Sequence, residues 1–265
     1  MSKSSDFSEN HNLQTIESAQ QPLKPITLLY LDASAREKQS LSRGLSQQFI
    51  KQWQQHYPNV EIIRRDVGKN PPPAVTESWI GAAFTPSHQR SSAQQAELAL
   101  SDELITEVQQ ADVIVMGTPM YNYGMPSTLK AWFDQVIRIN QTFSFDLARG
   151  DYPLAPILEG KILVVLTSCG EFGFAPGRIR EHENYLVPHI QTCSKFLGVN
   201  PERDFYQIGI EYQEFGDERH QQSIREAHEA VPHLVEKLIH FFSTTEVDKA
   251  LFTESHQHLC LDQME

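Results

Sequence analysis

The stretch Val113-Ile114-Val115-Met116-Gly117-Thr118-Pro119-Met120-Tyr121-Asn122-Tyr123-Gly124-Met125-Pro126 reads as a strand, a loop and the start of a helix. Val113 to Gly117 is a short apolar run, as expected for a strand covered on both faces of a parallel sheet. Pro126 suits the first turn of a helix. Leu129, Trp132, Phe133, Val136 and Ile137 then recur at helical spacing and predict one buried face.

Outward from this unit the same alternation repeats. Ile26 to Leu31, Val60 to Arg65, Ile162 to Thr167 and Phe205 to Ile210 read as four more strands. Leu41, Leu45, Phe49 and Trp53 form a helical stripe after the first strand. A second helix covers roughly Ala93 to Gln110, another runs from about Arg180 to Leu197 and stops at Gly198, and the last begins near Asp217. Pro232 predicts a kink in that last helix. Strands alternating with helices specify an α/β fold with a doubly wound five-stranded parallel sheet, helices on both faces. The expected strand order is 2-1-3-4-5, the flavodoxin-like order.

Residues 1–24 are polar and rich in Ser, Gln and Asn, which reads as a disordered leader. Residues 25–243 read as one domain and 244–265 as a polar tail. The formal net charge of -12 argues against a nucleic-acid partner, which needs a concentrated basic surface, and against adsorption to anionic membrane. Three cysteines without a CxxC pair fit a reducing cytoplasmic setting better than a disulfide framework. The first residues contain no apolar run of signal-peptide length. The eleven histidines lack ligand spacing and nearby Cys partners, so no metal site is expected.

In doubly wound sheets ligands bind beyond the carboxyl ends of the strands, where the winding reverses. That rule selects three loops. The first carries Ser34, Ser40, Leu41 and Ser42 at a helix start, where unpaired N–H groups and hydroxyls can receive a phosphate. Ser40 or Ser42 can equally be a plain N-cap. The second is Met120-Tyr121-Asn122-Tyr123, whose aromatics and rigid turn could cover a flat ring or simply close the core. The third is Ser168-Cys169-Gly170-Glu171, either a close backbone approach to a ligand or an ordinary flexible loop. No glycine-rich phosphate motif is present.

Taken together, Ser34 with Ser40-Leu41-Ser42, Asp66 with Asn70-Pro71, Leu98 to Ile105, and Pro119 to Asn122 continuing to Leu129-Lys130 and Phe133-Asp134 resemble the FMN-dependent NADH-azoreductase family of bacterial quinone reductases. The resemblance runs from Ile26 to about Leu238. It implies a flavodoxin-like FMN enzyme that passes hydride from NADH or NADPH through flavin N5 to quinones and reductively cleaves azo compounds. It further implies phosphate contacts at the serines, flavin contacts at Met120 to Tyr123 and Ser168 to Glu171, and a homodimer. Chemistry on the flavin requires no protein catalytic residue. Phe143 and Phe145 match a substrate-lining aromatic position, and could also be core or dimer-contact residues. The segment from Val67 to Ser92 is long for a connection and reads as a lid, a dimer contact or a packed loop. The family usually carries Arg-Gly-Gly where this chain has Cys169-Gly170-Glu171; a carboxylate there disfavours an anionic reduced flavin. A non-enzymatic flavodoxin-like electron carrier or redox sensor is the alternative reading.

Overall fold

A computed structural model describes residues 25–261, with side chains described through residue 244. The leader expected over residues 1–24 lies outside the described residues. Five parallel strands make the sheet: β1 (Ile26–Asp32), β2 (Val60–Asp66), β3 (Val113–Pro119), β6 (Ile162–Ser168) and β7 (Phe205–Ile210). Their spatial order is β2-β1-β3-β6-β7, so the expected 2-1-3-4-5 winding is what the chain adopts. Each strand that sequence marked is present, four of them running one or two residues further toward the carboxyl end.

Period-two alternation sorts the strand side chains onto two faces. Leu29, Leu31, Ile114, Met116, Leu163 and Val165 face one core. It is closed by α3 (Ser92–Gln110), α4 (Ser127–Val136) and α5 (Val187–Ser194). Leu28, Tyr30, Val113, Val115, Val164 and Leu166 face the other core. It is closed by α1 (Leu41–His56) and α6 (Glu218–Leu261). Trp53 and Trp132 are fully buried, one in each core. Truncating either to Ala is expected to remove about 3–5 kcal/mol of stability.

Two features depart from the sequence reading. First, the helix expected from Arg180 to Leu197 is shorter. It begins at Val187, just after a turn in which the Asn184 side chain accepts the N–H groups of Leu186 and Val187, and Pro188 stands in its first turn. Residues Glu181–Glu183 form only a 3-10 turn, and Gly198 does end the element with φ 90. Second, a short antiparallel hairpin, β4 (Phe143–Phe145) with β5 (Leu154–Pro156), stands apart from the sheet. The α6 backbone is helical through Leu261.

The segment between β2 and α3 is built, not loose. It contains α2 (Glu77–Phe84), and the buried Trp79 donates its indole N–H to Gln135 Oε1 at 2.9 Å. Arg90 donates to the carbonyls of Ala82, Ala83 and Thr85, closing the turn into α3.

Candidate functional site

Strand register decides what meets at the carboxyl edge of the sheet. Asp32 is level with Asp66 and Gly117, and Pro119 is level with Ser168, which is level with Ile210. The loops that leave these positions therefore converge. They enclose a cavity of about 470 Å³ lined by Ser34, Arg36, Gln39, Ser40, Leu41, Pro119, Met120, Tyr121, Ser168, Cys169, Gly170, Gln213 and Glu214. That size lies within the range of roughly 300–1,000 Å³ usual for small-molecule and cofactor sites.

On the polar side is the start of α1. Ser40 is its N-cap, accepting the N–H of Arg43 at 3.4 Å and sharing a hydroxyl contact of 3.4 Å with Ser42. Ser34 Oγ accepts the N–H of Arg36 at 3.2 Å, which leaves the Ser34 hydroxyl hydrogen free to donate. Ser34, Ser40 and Leu41 line the cavity; Ser42 is fully buried just behind Ser40. The capping reading of Ser40 and the anion reading are thus compatible, because a cap leaves other first-turn N–H groups open.

Across the cavity, Met120 is fixed by its N–H donating to Ser168 O at 2.8 Å. Tyr121 reaches over the first loop, where its hydroxyl accepts the Ala35 N–H at 3.3 Å. Asn122 (φ 47) and Tyr123 (φ 67) occupy left-handed backbone, and reciprocal bonds between Tyr121 and Gly124 close the turn. Asn tolerates this conformation; for Tyr123 it is strained. The turn carries both side chains away from the cavity wall. The Tyr123 ring meets Phe174 edge-on, and the Tyr123 hydroxyl is held in its protonated form by a hydrogen bond to the Glu171 carboxylate.

The third loop contributes Ser168, Cys169 and Gly170 to the wall, while Glu171 turns toward Arg180 at 3.4 Å. Burial, reinforced by Glu211 and Glu171, pushes the Cys169 thiol up to about 12, so it remains protonated. A Cβ at Gly170 would lie 2.6 Å from the Glu214 carboxyl carbon. Phe143 packs its ring against Phe196 at 5.6 Å and Phe145 is half exposed, both on the β4–β5 hairpin and outside this cavity.

A fourth loop, after β7, was not marked by sequence. The N–H groups of Tyr212, Gln213 and Glu214 donate to the carbonyls of Glu171, Cys169 and Gly170, which lays Gln213 and Glu214 along the cavity. Tyr212 stacks on Phe172 with centroids 4.4 Å apart, and Arg219 lies over Tyr212 and Phe215. A second cavity of about 760 Å³ adjoins the first, sharing Met120, Ser168 and Cys169 and extending to Phe172, Gln207 and Glu211. Alternation of an acidic residue with aromatics at 211–215 was the available signal, but it is equally that of an ordinary surface turn.

Beneath the first loop Arg43 joins Asp32 and Asp66. Burial pushes the Asp32 carboxyl above the usual carboxylate range. Burial acts the same way on Asp66, but the Arg43 hydrogen bonds outweigh it and hold Asp66 below that range.

The donor set fits a phosphorylated flavin: hydroxyls and a helix start for phosphate, with Pro119, Met120, Tyr121 and Ser168 to Gly170 lining the same cavity. A family model described as flavodoxin-like fold matches residues 27–231. The FMN-dependent NADH:quinone oxidoreductase 2 of Colwellia psychrerythraea is 52% identical over 221 residues, covering 81% of this chain and 100% of that protein. The FMN-dependent NAD(P)H:quinone oxidoreductase 1 of Pseudomonas aeruginosa is 42% identical over 174 residues, covering 65% of this chain and 82% of that one. Among solved structures, an azoreductase from Bacillus anthracis superposes with a TM-score of 0.70 at 19% identity, covering 80% of this chain and 99% of that one, a likeness of fold. The chain belongs to the flavodoxin-like family of FMN-dependent NADH:quinone oxidoreductases.

Proposed function

We propose that this protein is a homodimeric, cytoplasmic FMN-dependent NAD(P)H:quinone oxidoreductase that also cleaves aromatic azo compounds. The observation that carries the reading is the cavity in which the serine-capped start of α1 meets Met120, Tyr121 and the Ser168-Cys169-Gly170 segment. When bound, FMN supplies the hydride-accepting and hydride-donating centre. Ser34, Ser40 and the first-turn N–H groups of α1 hold the phosphate, with Ser42 behind them supporting Ser40. Met120 and Tyr121 border the ring, with the Asn122-Tyr123 turn fixing their backbone, and Ser168 to Gly170 form the wall beside Met120. Glu171, drawn off toward Arg180, places negative charge near that edge and opposes a build-up of anionic charge there.

The dimer reading is supported by the hairpin. Phe145, Leu147, Tyr152, Leu154 and Ile157 are all exposed, Tyr152 at 86%, and such apolar groups together mark a protein contact. Phe143 and Phe145 would then line a substrate space completed by the second copy. No described helix is long and apolar enough to cross a membrane.

The test is spectroscopic. Purified full-length protein should carry the yellow flavin spectrum, bleach with NADH and recover when benzoquinone is added without any other reductase. A colourless protein that takes up no FMN would refute the reading. Sedimentation should give twice the chain mass, and Leu147→Glu with Tyr152→Glu should shift it toward monomer.

A further inference from the structure

We propose that Arg43 is the positioning residue of the phosphate cradle, acting through the first loop and not on the ligand itself. The inference rests on the FMN reading above. Arg43 stands three residues past the N-cap of α1 and is only 7% exposed. A charged residue at that place ordinarily reads as part of a solvated helix face. Here every direction of its guanidinium is used. Nε donates to Arg36 O at 2.9 Å and Nη2 to Ser34 O at 2.7 Å. Nη1 reaches Asp32 at 3.2 Å, and the two terminal nitrogens grip Asp66 at 2.7 Å and 2.8 Å.

Three consequences follow from this geometry. The two carbonyls that Arg43 draws beneath the loop belong to Ser34 and Arg36, so the intervening backbone is turned with the Ser34 hydroxyl and its neighbours toward the cavity. The cationic charge is spent on two carboxylates, one of them buried, and Arg43 does not line the cavity. Its effect on an anion therefore runs through loop shape and not through direct attraction. Finally, the bidentate grip on Asp66 ties the loop to the exit of β2, where the N–H groups of Val67 and Gly68 donate to Asp32 O. Lysine cannot reproduce this, because one ammonium cannot fork to a carboxylate and two carbonyls at once.

The prediction concerns phosphate selectivity. Full-length apoprotein is titrated with FMN and with riboflavin, which lacks the phosphate, following flavin fluorescence. In Arg43→Lys the FMN dissociation constant should rise by about tenfold to a hundredfold, while that for riboflavin changes by less than about threefold, collapsing the preference for the phosphorylated ligand. A merely structural role would weaken both ligands alike and leave their ratio unmoved. Asp66→Asn, at a half-exposed position, should lower the ratio in the same direction by a smaller factor, and it decides the matter if Arg43→Lys does not fold. Wild-type protein that prefers FMN together with variants of unchanged ratio overturns the role of Arg43 alone. Wild-type protein that binds neither flavin overturns the flavin reading and this inference with it.

Discussion

Gly68 and Ser34 press together at the exits of β2 and β1: a Cβ on Gly68 would stand 2.1 Å from the Ser34 carbonyl oxygen. That oxygen is held from its other side by Arg43, so the backbone has nowhere to yield. Gly68→Ala should therefore destabilise the apoprotein by about 1–3 kcal/mol, the range of an overpacked interior. Gly44→Ala, inside α1 with open space around it, should stabilise by about 0.5–1 kcal/mol. Urea denaturation of the pair checks the contrast, and equal midpoints would contradict the close approach.

Ser40 and Ser34 should separate capping from ligand binding. Ser40→Ala removes the N-cap of α1 and should lower stability by about 1 kcal/mol. Ser34 caps nothing, so Ser34→Ala should change stability by less than about 1 kcal/mol while weakening FMN by about tenfold. Calorimetric titration with FMN, beside thermal unfolding of the apoproteins, reads both quantities. Parity of Ser34→Ala with wild type in FMN affinity would remove it from the cradle.

Cys169 should be inert as a nucleophile. Its folded-state thiol is raised to about 12 from an ordinary 9.0, chiefly by burial, so the neutral form is favoured in the fold. At pH 8 the thiolate fraction should be about a thousandfold below that of a free thiol, and alkylation slower in proportion. The sign carries over to stability: the contribution from the protonated thiol is complete below about pH 9 and is lost as pH rises toward 12. Peptide mapping after iodoacetamide at pH 8 measures it; rapid labelling of Cys169 in the folded protein would contradict the buried, acid-flanked setting.

Trp79 anchors the segment between β2 and α3 to α4, the helix that follows the Met120 loop. Trp79→Phe keeps the ring packing and deletes the donor to Gln135 Oε1, which is buried. The expected loss is about 1–3 kcal/mol, from an acceptor left without its partner. A urea midpoint unchanged from wild type would show that the indole bond contributes nothing.

Most of the scaffold was legible because burial on both faces leaves strands as apolar runs; β3 and β6 are buried from end to end, and Val113 to Met116 and Ile162 to Leu166 are such runs. The convergence of the first three loops followed from the winding rule alone. Other parts left no mark. The β4 and β5 strands are three residues each, too short for alternation to register. The start of α5 follows the Asn184 side chain reaching two N–H groups, a contact that the polar run Arg180 to Glu183 does not announce. Gln213 and Glu214 are polar residues on a surface turn, brought to the cavity by backbone bonds that no side-chain pattern encodes. Arg43 carries no mark in the sequence because its partners, Asp32 and Asp66, arrive from the ends of two strands.

All five strands of the sheet point the same way, so the two rims of the molecule are not equivalent. Every residue of the two adjoining cavities leaves from the carboxyl rim or the loops above it, except the strand positions just below. The opposite rim, with its turns at 57–59 and 111–112, supplies none of them; Lys161 fastens it by donating to the carbonyls of Gln109 and Ala111. The chain thus divides into an exacting rim and a permissive one. A peptide grafted between Tyr57 and Val60 should be carried as passive cargo, whereas the same graft between Met120 and Gly124 should abolish ligand uptake.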